Sequence, residues 1–323
     1  MKIGFICLGN VGGKLAGSLL RNGHDLTVRD LDRGVAQRLL DGSAKWADSP
    51  AEMAAACDLV ITCLPSPSDS AAVMEPEADI LSALASGKIW AEMSTTDEAE
   101  VKRLGALVEA TGAAPVDCPV SGGCHRPVTG NISIFTGHSS EIFERILSIL
   151  TTLGRCVMHT GPLGSASVLK VMKNYLATAN LLTLCEALVT MERAGLDLAT
   201  TYEAIRISSG NSFVNETESQ VILNGSRDIN FTMDLVLKDI GLFQTIADRA
   251  GVPLEISPLM IEIFKDGIAR YGQRAQSDDI IRRLEEATGA DIRAPGSRPI
   301  WSTTSRRSRA TRWCRTAGER QRG

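Results

Sequence analysis

The run Cys7-Leu8-Gly9-Asn10-Val11-Gly12 lies between a short apolar segment and one with helical periodicity. It keeps two of the three glycines of the G-x-G-x-x-G turn that holds a dinucleotide pyrophosphate. Gly9 lets the backbone approach phosphate, and Gly12 lets a helix pack close to a strand. The backbone N–H groups at the start of that helix, around Asn10 and Val11, would face the anion. Cys7 stands at the first glycine position, and a small residue with negative φ is expected there. An acid at the end of the next strand completes such a site, and Asp30 lies 18 residues after Gly12. Its carboxylate would accept ribose hydroxyls and repel a 2′-phosphate, which favours NAD, with NADP possible because Arg29 and Arg33 are close by. A phosphate loop of the Walker type is excluded, because Leu15 follows Lys14 where a magnesium-binding hydroxyl would be needed.

The elements that must carry this site alternate. KIGFICL reads as a buried strand, Asn10 to Arg21 as a helix, DLTVRD as a strand and Asp32 to Leu40 as a helix. DLVITCL is a continuous apolar run, as in a parallel strand covered on both faces. KIWAEM, AAPVDCPV, ISIFTG and RCVMHTG follow, with helical patterns between them. Such alternation predicts an α/β Rossmann-type doubly wound parallel sheet over residues 1–162. From Ser165 to Ala194 there is one long helical stretch without Pro or Gly, closed by Gly195 as C-cap. The helices Leu198–Ser208, Asn215–Leu223, Met233–Ala250, Pro258–Tyr271 and Ser277–Thr288 make residues 163–296 an all-α C-terminal domain. Residues 297–323 lack periodicity and read as a basic, disordered tail.

Charge and cysteine usage narrow the class. Residues 299–323 hold seven arginines and one glutamate, so a net charge of −4 leaves the remaining body at −10. An acidic body argues against nucleic acid as the main partner. No signal segment precedes the first strand, and the most apolar stretch, Leu176 to Leu184, is too short to span a bilayer. The eight cysteines show no C-x-x-C spacing and the four histidines are scattered. Reduced thiols, a cytoplasmic location and no metal site are expected.

Three further motifs lie downstream: DCPVSGG at 117–123, GPLGSASVLKVMKN at 161–174, and Lys238-Asp239 inside a helical pattern. Together with GFICLGNVG, and in this order over residues 1 to about 296, they make the chain resemble the β-hydroxyacid dehydrogenase family. That family includes 3-hydroxyisobutyrate dehydrogenases and glyoxylate/succinic semialdehyde reductases. The resemblance implies an NAD(P)-dependent oxidoreductase that moves a hydride between nicotinamide and a small 3-hydroxy carboxylic acid. It implies Lys170 as general acid/base and Asn174 as its partner. Their i, i+4 spacing puts both on one helix face, so one oxygen can touch both.

On the same resemblance, Ser121, Gly122 and Gly123 form the substrate-carboxylate loop, with Ser121 at the catalytic centre. A hydroxyl with unobstructed N–H groups makes an anion cradle. Lys238 lies near cofactor and substrate, and Asp239 orients that region. Leu64, Pro65 and Ser66 line the adenosine side, and Ser94 and Thr95 the nicotinamide ribose. The long helix implies a homodimer or homotetramer. Besides Cys7, three positions depart from the family pattern: Ala166, Lys173, and the stretch CHRPVTG, in which His125 and Arg126 would read a further polar group on the substrate. An imine reductase on the same fold and a non-catalytic nucleotide-binding protein are the rival readings. Lys170 speaks against the first, and the Lys170/Asn174 pair with the Ser121 loop against the second.

Overall fold

The structure is a computed structural model that describes residues 1–75, 80–122, 132–294 and 312–314. The chain divides into two compact units. The first runs from Met1 to Lys170 and includes Arg312–Cys314; the second begins at Val171.

In the first unit, β1 (Ile3–Ile6), β2 (Leu26–Arg29), β3 (Lys45–Trp46), β4 (Leu59–Thr62), β5 (Ile89–Glu92) and β6 (Ala114–Asp117) pair in parallel in the order β3-β2-β1-β4-β5-β6. Both faces of this sheet are buried. Ile3, Phe5, Leu59, Ile61, Ile89 and Val116 pack on one side with Leu15 and Leu19 of α1 (Gly12–Arg21) and Phe143 and Ile146 of α7 (Ser140–Leu153). Ile6, Val60 and Trp90 pack on the other with Met53 of α3 (Pro50–Ala56) and Val101, Leu104 and Val108 of α6 (Glu98–Ala110). The period-2 direction of strand side chains produces these two layers, and it explains why the strand sequences read as unbroken apolar runs.

The stretch AAPVDCPV forms two strands, not one. β6 ends at Asp117, and β7 (Val120–Ser121) runs antiparallel to β8 (Ser133–Gly137). Pro119, which lacks an N–H, sits between them. β8 also pairs antiparallel with β6 through Asp117 and Gly137 and parallel with β9 (Cys156–Gly161), so the sheet is parallel-dominated rather than wholly parallel. Arg312–Cys314, inside the stretch expected to be an unstructured tail, form β10 and pair in parallel with β9.

Several helix ends shift. α1 begins at Gly12, not Asn10. The second helix opens as a 3-10 turn over Arg33–Ala36 before α2 (Gln37–Asp41), because the Asp32 carboxylate accepts the Gly34 N–H at 2.8 Å and tightens the first turn. Short helices α4 (Pro67–Met74) and α5 (Ile80–Ala83) complete this unit.

The helix α8 (Ser165–Arg193) continues from the first unit into the second. It ends where Gly195, at φ +82°, lets the Leu196 N–H return to the Met191 carbonyl at 2.9 Å. The second unit is helical: α9 (Leu198–Arg206), α10 (Phe213–Leu223), α11 (Met233–Arg249), α12 (Ile256–Tyr271), a 3-10 turn at Ser277–Ile281, and α13 (Arg282–Thr288). Its core joins Leu181, Leu184 and Leu188 of α8 to Ile222, Met233, Ile240, Met260, Phe264 and Ile281. No helix among the described residues is long and apolar enough to cross a membrane.

Candidate active site

The strand order reverses direction between β1 and β4, where the crossover from β1 leads to β2 and that from β4 leads to β5. Loops at the carboxyl ends of these strands splay apart there and leave a crevice for a dinucleotide. Four loops border it: Cys7–Val11, Asp30–Asp32, Cys63–Ser66 and Met93–Thr96.

Cys7 has φ +73°, which overturns the expected negative φ. The turn is too tight for it. A Cβ on Gly12 would stand 2.0 Å from the Cys7 carbonyl oxygen, so helix and strand end are in direct backbone contact. The Cys7 N–H still bonds the Arg29 carbonyl at 3.0 Å, while its sulfur accepts the Gly9 N–H. Holding a non-glycine residue there costs about 1–2 kcal/mol. Burial pushes the Cys7 thiol up. The loop nevertheless retains the shape a pyrophosphate needs. The Cβ position of Gly9 has nothing within 4 Å, and α1 carries no side-chain cap on its N-terminal N–H groups.

The Asp30 carboxylate accepts the Leu8 N–H at 2.6 Å and the Asp32 N–H at 3.2 Å. It braces the phosphate turn and, with four lone-pair directions, keeps capacity for ribose hydroxyls. Arg29 and Arg33 gather at Trp46, 6.0 and 5.3 Å from the ring centroid, and Arg29 donates to the Ala47 carbonyl at 3.1 Å. Leu31 between them is fully exposed.

Across the crevice, Ser94 ties two loops together. Its Oγ accepts the Leu64 N–H at 2.7 Å and donates to Glu92 Oε1, which also accepts the Ser94 N–H at 2.8 Å. Its hydroxyl therefore acts inward, holding Leu64 and Pro65 against the β5 end that carries Thr95. Glu92 is buried, and burial pushes its carboxyl up. Ser66 caps α4 by accepting the Asp69 N–H at 3.2 Å.

Lys170 and Asn174 lie one turn apart on α8, both buried. Asn174 Nδ2 donates to Asp239 Oδ2, and Lys173 Nζ donates to Asn174 Oδ1 at 2.9 Å. Lys238 Nζ pairs with Asp239 Oδ1 at 2.8 Å. These contacts fix the orientation of the Asn174 amide. Burial pushes the Lys173 amine down, against the opposing charges of Asp239 and Glu218. The start of α8 is held from the sheet. Asp117 accepts the Gly164 N–H at 2.9 Å, the Ser167 N–H at 2.8 Å and the Ser167 hydroxyl at 3.0 Å.

Ser121 pairs with Ser133 across β7 and β8, and Gly122 follows at φ +138°, a conformation that favours glycine. Gly123, His125 and Arg126 lie outside the described residues. Among the described residues, no group of three or more His, Cys, Asp or Glu could hold a metal ion, and six cysteines are free thiols.

Reading the sequence missed the bracing roles of Glu92, Asp117 and Lys173. The Asp117 partners emerge only where strand and helix meet, whereas Glu92 and Lys173 bond near neighbours, Ser94 and Asn174. Asp117 stood inside a quoted motif, yet its partners lie 47 and 50 residues away.

Two family descriptions match this chain in succession: the NAD binding domain of 6-phosphogluconate dehydrogenase at residues 2–161, and the NAD-binding domain of NADP-dependent 3-hydroxyisobutyrate dehydrogenase at residues 164–284. A 2-(hydroxymethyl)glutarate dehydrogenase of Eubacterium barkeri is 31% identical over 90% of this chain and 97% of its own. The mitochondrial 3-hydroxyisobutyrate dehydrogenase of Mus musculus is 30% identical over 88% and 87%. Among solved structures, the 3-hydroxyisobutyrate dehydrogenase of Mycobacterium tuberculosis with L-serine superposes with a TM-score of 0.80 at 23% identity, covering 88% of this chain and 98% of that one.

Proposed function

The chain belongs to the β-hydroxyacid dehydrogenase family, and from that premise we propose that Lys170 is the general acid and base for interconversion of a small 3-hydroxy carboxylic acid and its semialdehyde or oxo acid. The observation that carries this reading is the arrangement on α8, where Lys170 and an amide fixed by Lys173 and Asp239 sit one turn apart on a buried face.

Gly9, Asn10, Val11 and Gly12 would hold the pyrophosphate, Asp30 the adenosine ribose, Leu64 and Pro65 the adenosine side, and Thr95, with Ser94 behind it, the nicotinamide ribose. When bound, the nicotinamide supplies the hydride acceptor or donor. In the oxidative direction Lys170 takes the hydroxyl proton as the carbinol hydrogen leaves with its electron pair. In the reductive direction it returns that proton to the carbonyl oxygen. Asn174 orients the substrate beside Lys170. Ser121 and the backbone of Gly122 and Gly123 hold the substrate carboxylate, and Lys238 supports the cofactor side through Asp239. His125 and Arg126 receive a second polar group. A second carboxylate is the group favoured here, a reading supported by the relative named for a hydroxymethylglutarate, a dicarboxylate.

NAD is the preferred cofactor because the Asp30 carboxylate repels a 2′-phosphate. Residues 1–162 form the dinucleotide-binding domain and 163–296 the substrate and oligomerisation domain of a homodimer or homotetramer. The free thiols fit a reducing, cytoplasmic setting.

Paired fluorescence titrations with NADH and NADPH test the cofactor reading, with tighter NADH binding expected; tighter NADPH binding would move the preference to Arg29 and Arg33. Turnover of 2-(hydroxymethyl)glutarate and 3-hydroxyisobutyrate is then compared. Lys170→Ala should abolish turnover of either, and unchanged activity in that variant would sink the mechanism.

A further inference from the structure

We propose that Asp117 is a positioning residue for Lys170, a remote N-terminal cap that fixes where the catalytic helix begins. The inference rests on the reading of Lys170 as acid and base. Its geometry lies wholly in the first unit.

The first turn of a helix has N–H groups without intrahelical partners, and a side-chain oxygen normally satisfies them from the preceding residue. For α8 that residue is Gly164, which has no side chain to offer. Asp117, from the end of β6, takes the task. One carboxylate oxygen accepts the Gly164 N–H at 2.9 Å, and the other accepts the Ser167 N–H at 2.8 Å and the Ser167 hydroxyl at 3.0 Å. All three partners are donors, so the acceptor form of the carboxyl fits the site. A negative group here also complements the positive end of the helix dipole.

The surroundings keep this contact in place. Asp117 and Ser167 are both buried. Gly137, the antiparallel partner of Asp117, is bare where a Cβ would lie 2.3 Å from Asp117 Oδ1 and 2.8 Å from the Pro162 carbonyl. Thr160 adds a second tether, bonding the Ser165 hydroxyl at 2.7 Å and the Thr136 carbonyl at 3.1 Å.

Lys170 follows Ser167 by three residues, so it lies on the next turn of the same face. Ser121 follows Asp117 by four residues on the other side, through β7. One buried carboxylate thus joins the strand end that leads to the substrate loop with the helix start that leads to the acid/base. Fixing both to one point is the type of pre-orientation on which proton and hydride transfer depend.

The test uses the full chain with Asp117→Asn, Ser167→Ala and Gly137→Ala. Asparagine loses one acceptor and the charge, the serine change removes only the hydroxyl bond, and the glycine change displaces an intact carboxylate. The first readout needs no substrate. Lysines are labelled by reductive 13C-methylation, and the Lys170 resonance is assigned with Lys170→Arg. A resonance that moves in D117N and, by less, in S167A supports the proposal. A Lys170 resonance unmoved in every folded variant overturns it, whatever happens to thermal stability. The second readout is kinetic. kcat should fall roughly tenfold in D117N and about twofold to threefold in S167A, with the Kd for NADH unchanged. If the resonance moves but wild type turns over no hydroxy acid, the reaction assigned to Lys170 fails and the positioning contact stands.

Discussion

At the scale of the residue, Cys7 tests how far a motif can be read. Its type and place were legible, and its backbone was not. A small side chain suggested an ordinary strand residue, but the contact between the Cys7 carbonyl and Gly12 demands positive φ. That demand comes from the approach of a helix that follows in the chain. Cys7→Gly removes about 1–2 kcal/mol of backbone strain, partly offset by ~0.5–1 kcal/mol of added freedom in the unfolded chain. It should therefore leave the melting temperature equal or higher and NADH binding at least as tight. Cys7→Val should lower both, because a β-branched residue fits positive φ poorly. Thermal melts and NADH titration of the two variants decide this, and a C7G protein that binds NADH more weakly than wild type would contradict it.

At the scale of the element, apolar patterning located five of the six strands of the parallel sheet, and the lack of Pro and Gly before Gly195 located the long helix. Patterning could not locate β3, β7 or β10, each only two or three residues long, whose pairing is set by neighbours rather than by pattern. Nor could it place charges brought together by packing. Asp278, in the 3-10 turn at Ser277–Ile281, is buried near Glu218 of α10 and Arg227. Burial first, and the Glu218 charge second, hold the Asp278 carboxyl well above the usual range. An acid with a raised folded-state pKa binds protons more tightly folded than unfolded. Its cost to stability is absent below the unfolded value and grows as pH rises toward the folded one. Asp278→Asn cannot ionise and should flatten the fall in melting temperature from pH 5 to pH 8. An equally steep fall in the variant would show that Asp278 does not set it.

At the scale of the whole molecule, the doubly wound sheet and the helical second unit could be read from the order of elements, and the crevice at the β1/β4 reversal follows from that order. The loops that border the crevice could be named, but not their internal bonds. Asp30 bracing Leu8 and Ser94 bracing Leu64 join residues 22 and 30 positions apart. A ligand that binds only the folded chain stabilises it by about 2.7 kcal/mol at a hundred times its Kd. Saturating NADH should thus raise the melting temperature by roughly 4 °C for a chain of this size. Lys170→Ala should keep that rise while losing turnover. A variant that loses the rise as well would place Lys170 in cofactor binding rather than in proton transfer.

The continuous course of α8 through Lys170 and Asn174 also limits which length changes this sequence can accept. Each added residue advances a helix by 1.5 Å and turns it by about 100°. One alanine inserted after Val171 would delete no functional group, yet it would carry the amide away from the amine around the helix axis. A loop absorbs such an insertion by bulging into solvent. Here the three residues between Lys170 and Asn174 are a fixed spacer, and a single-codon insertion there should be as damaging as removal of either side chain.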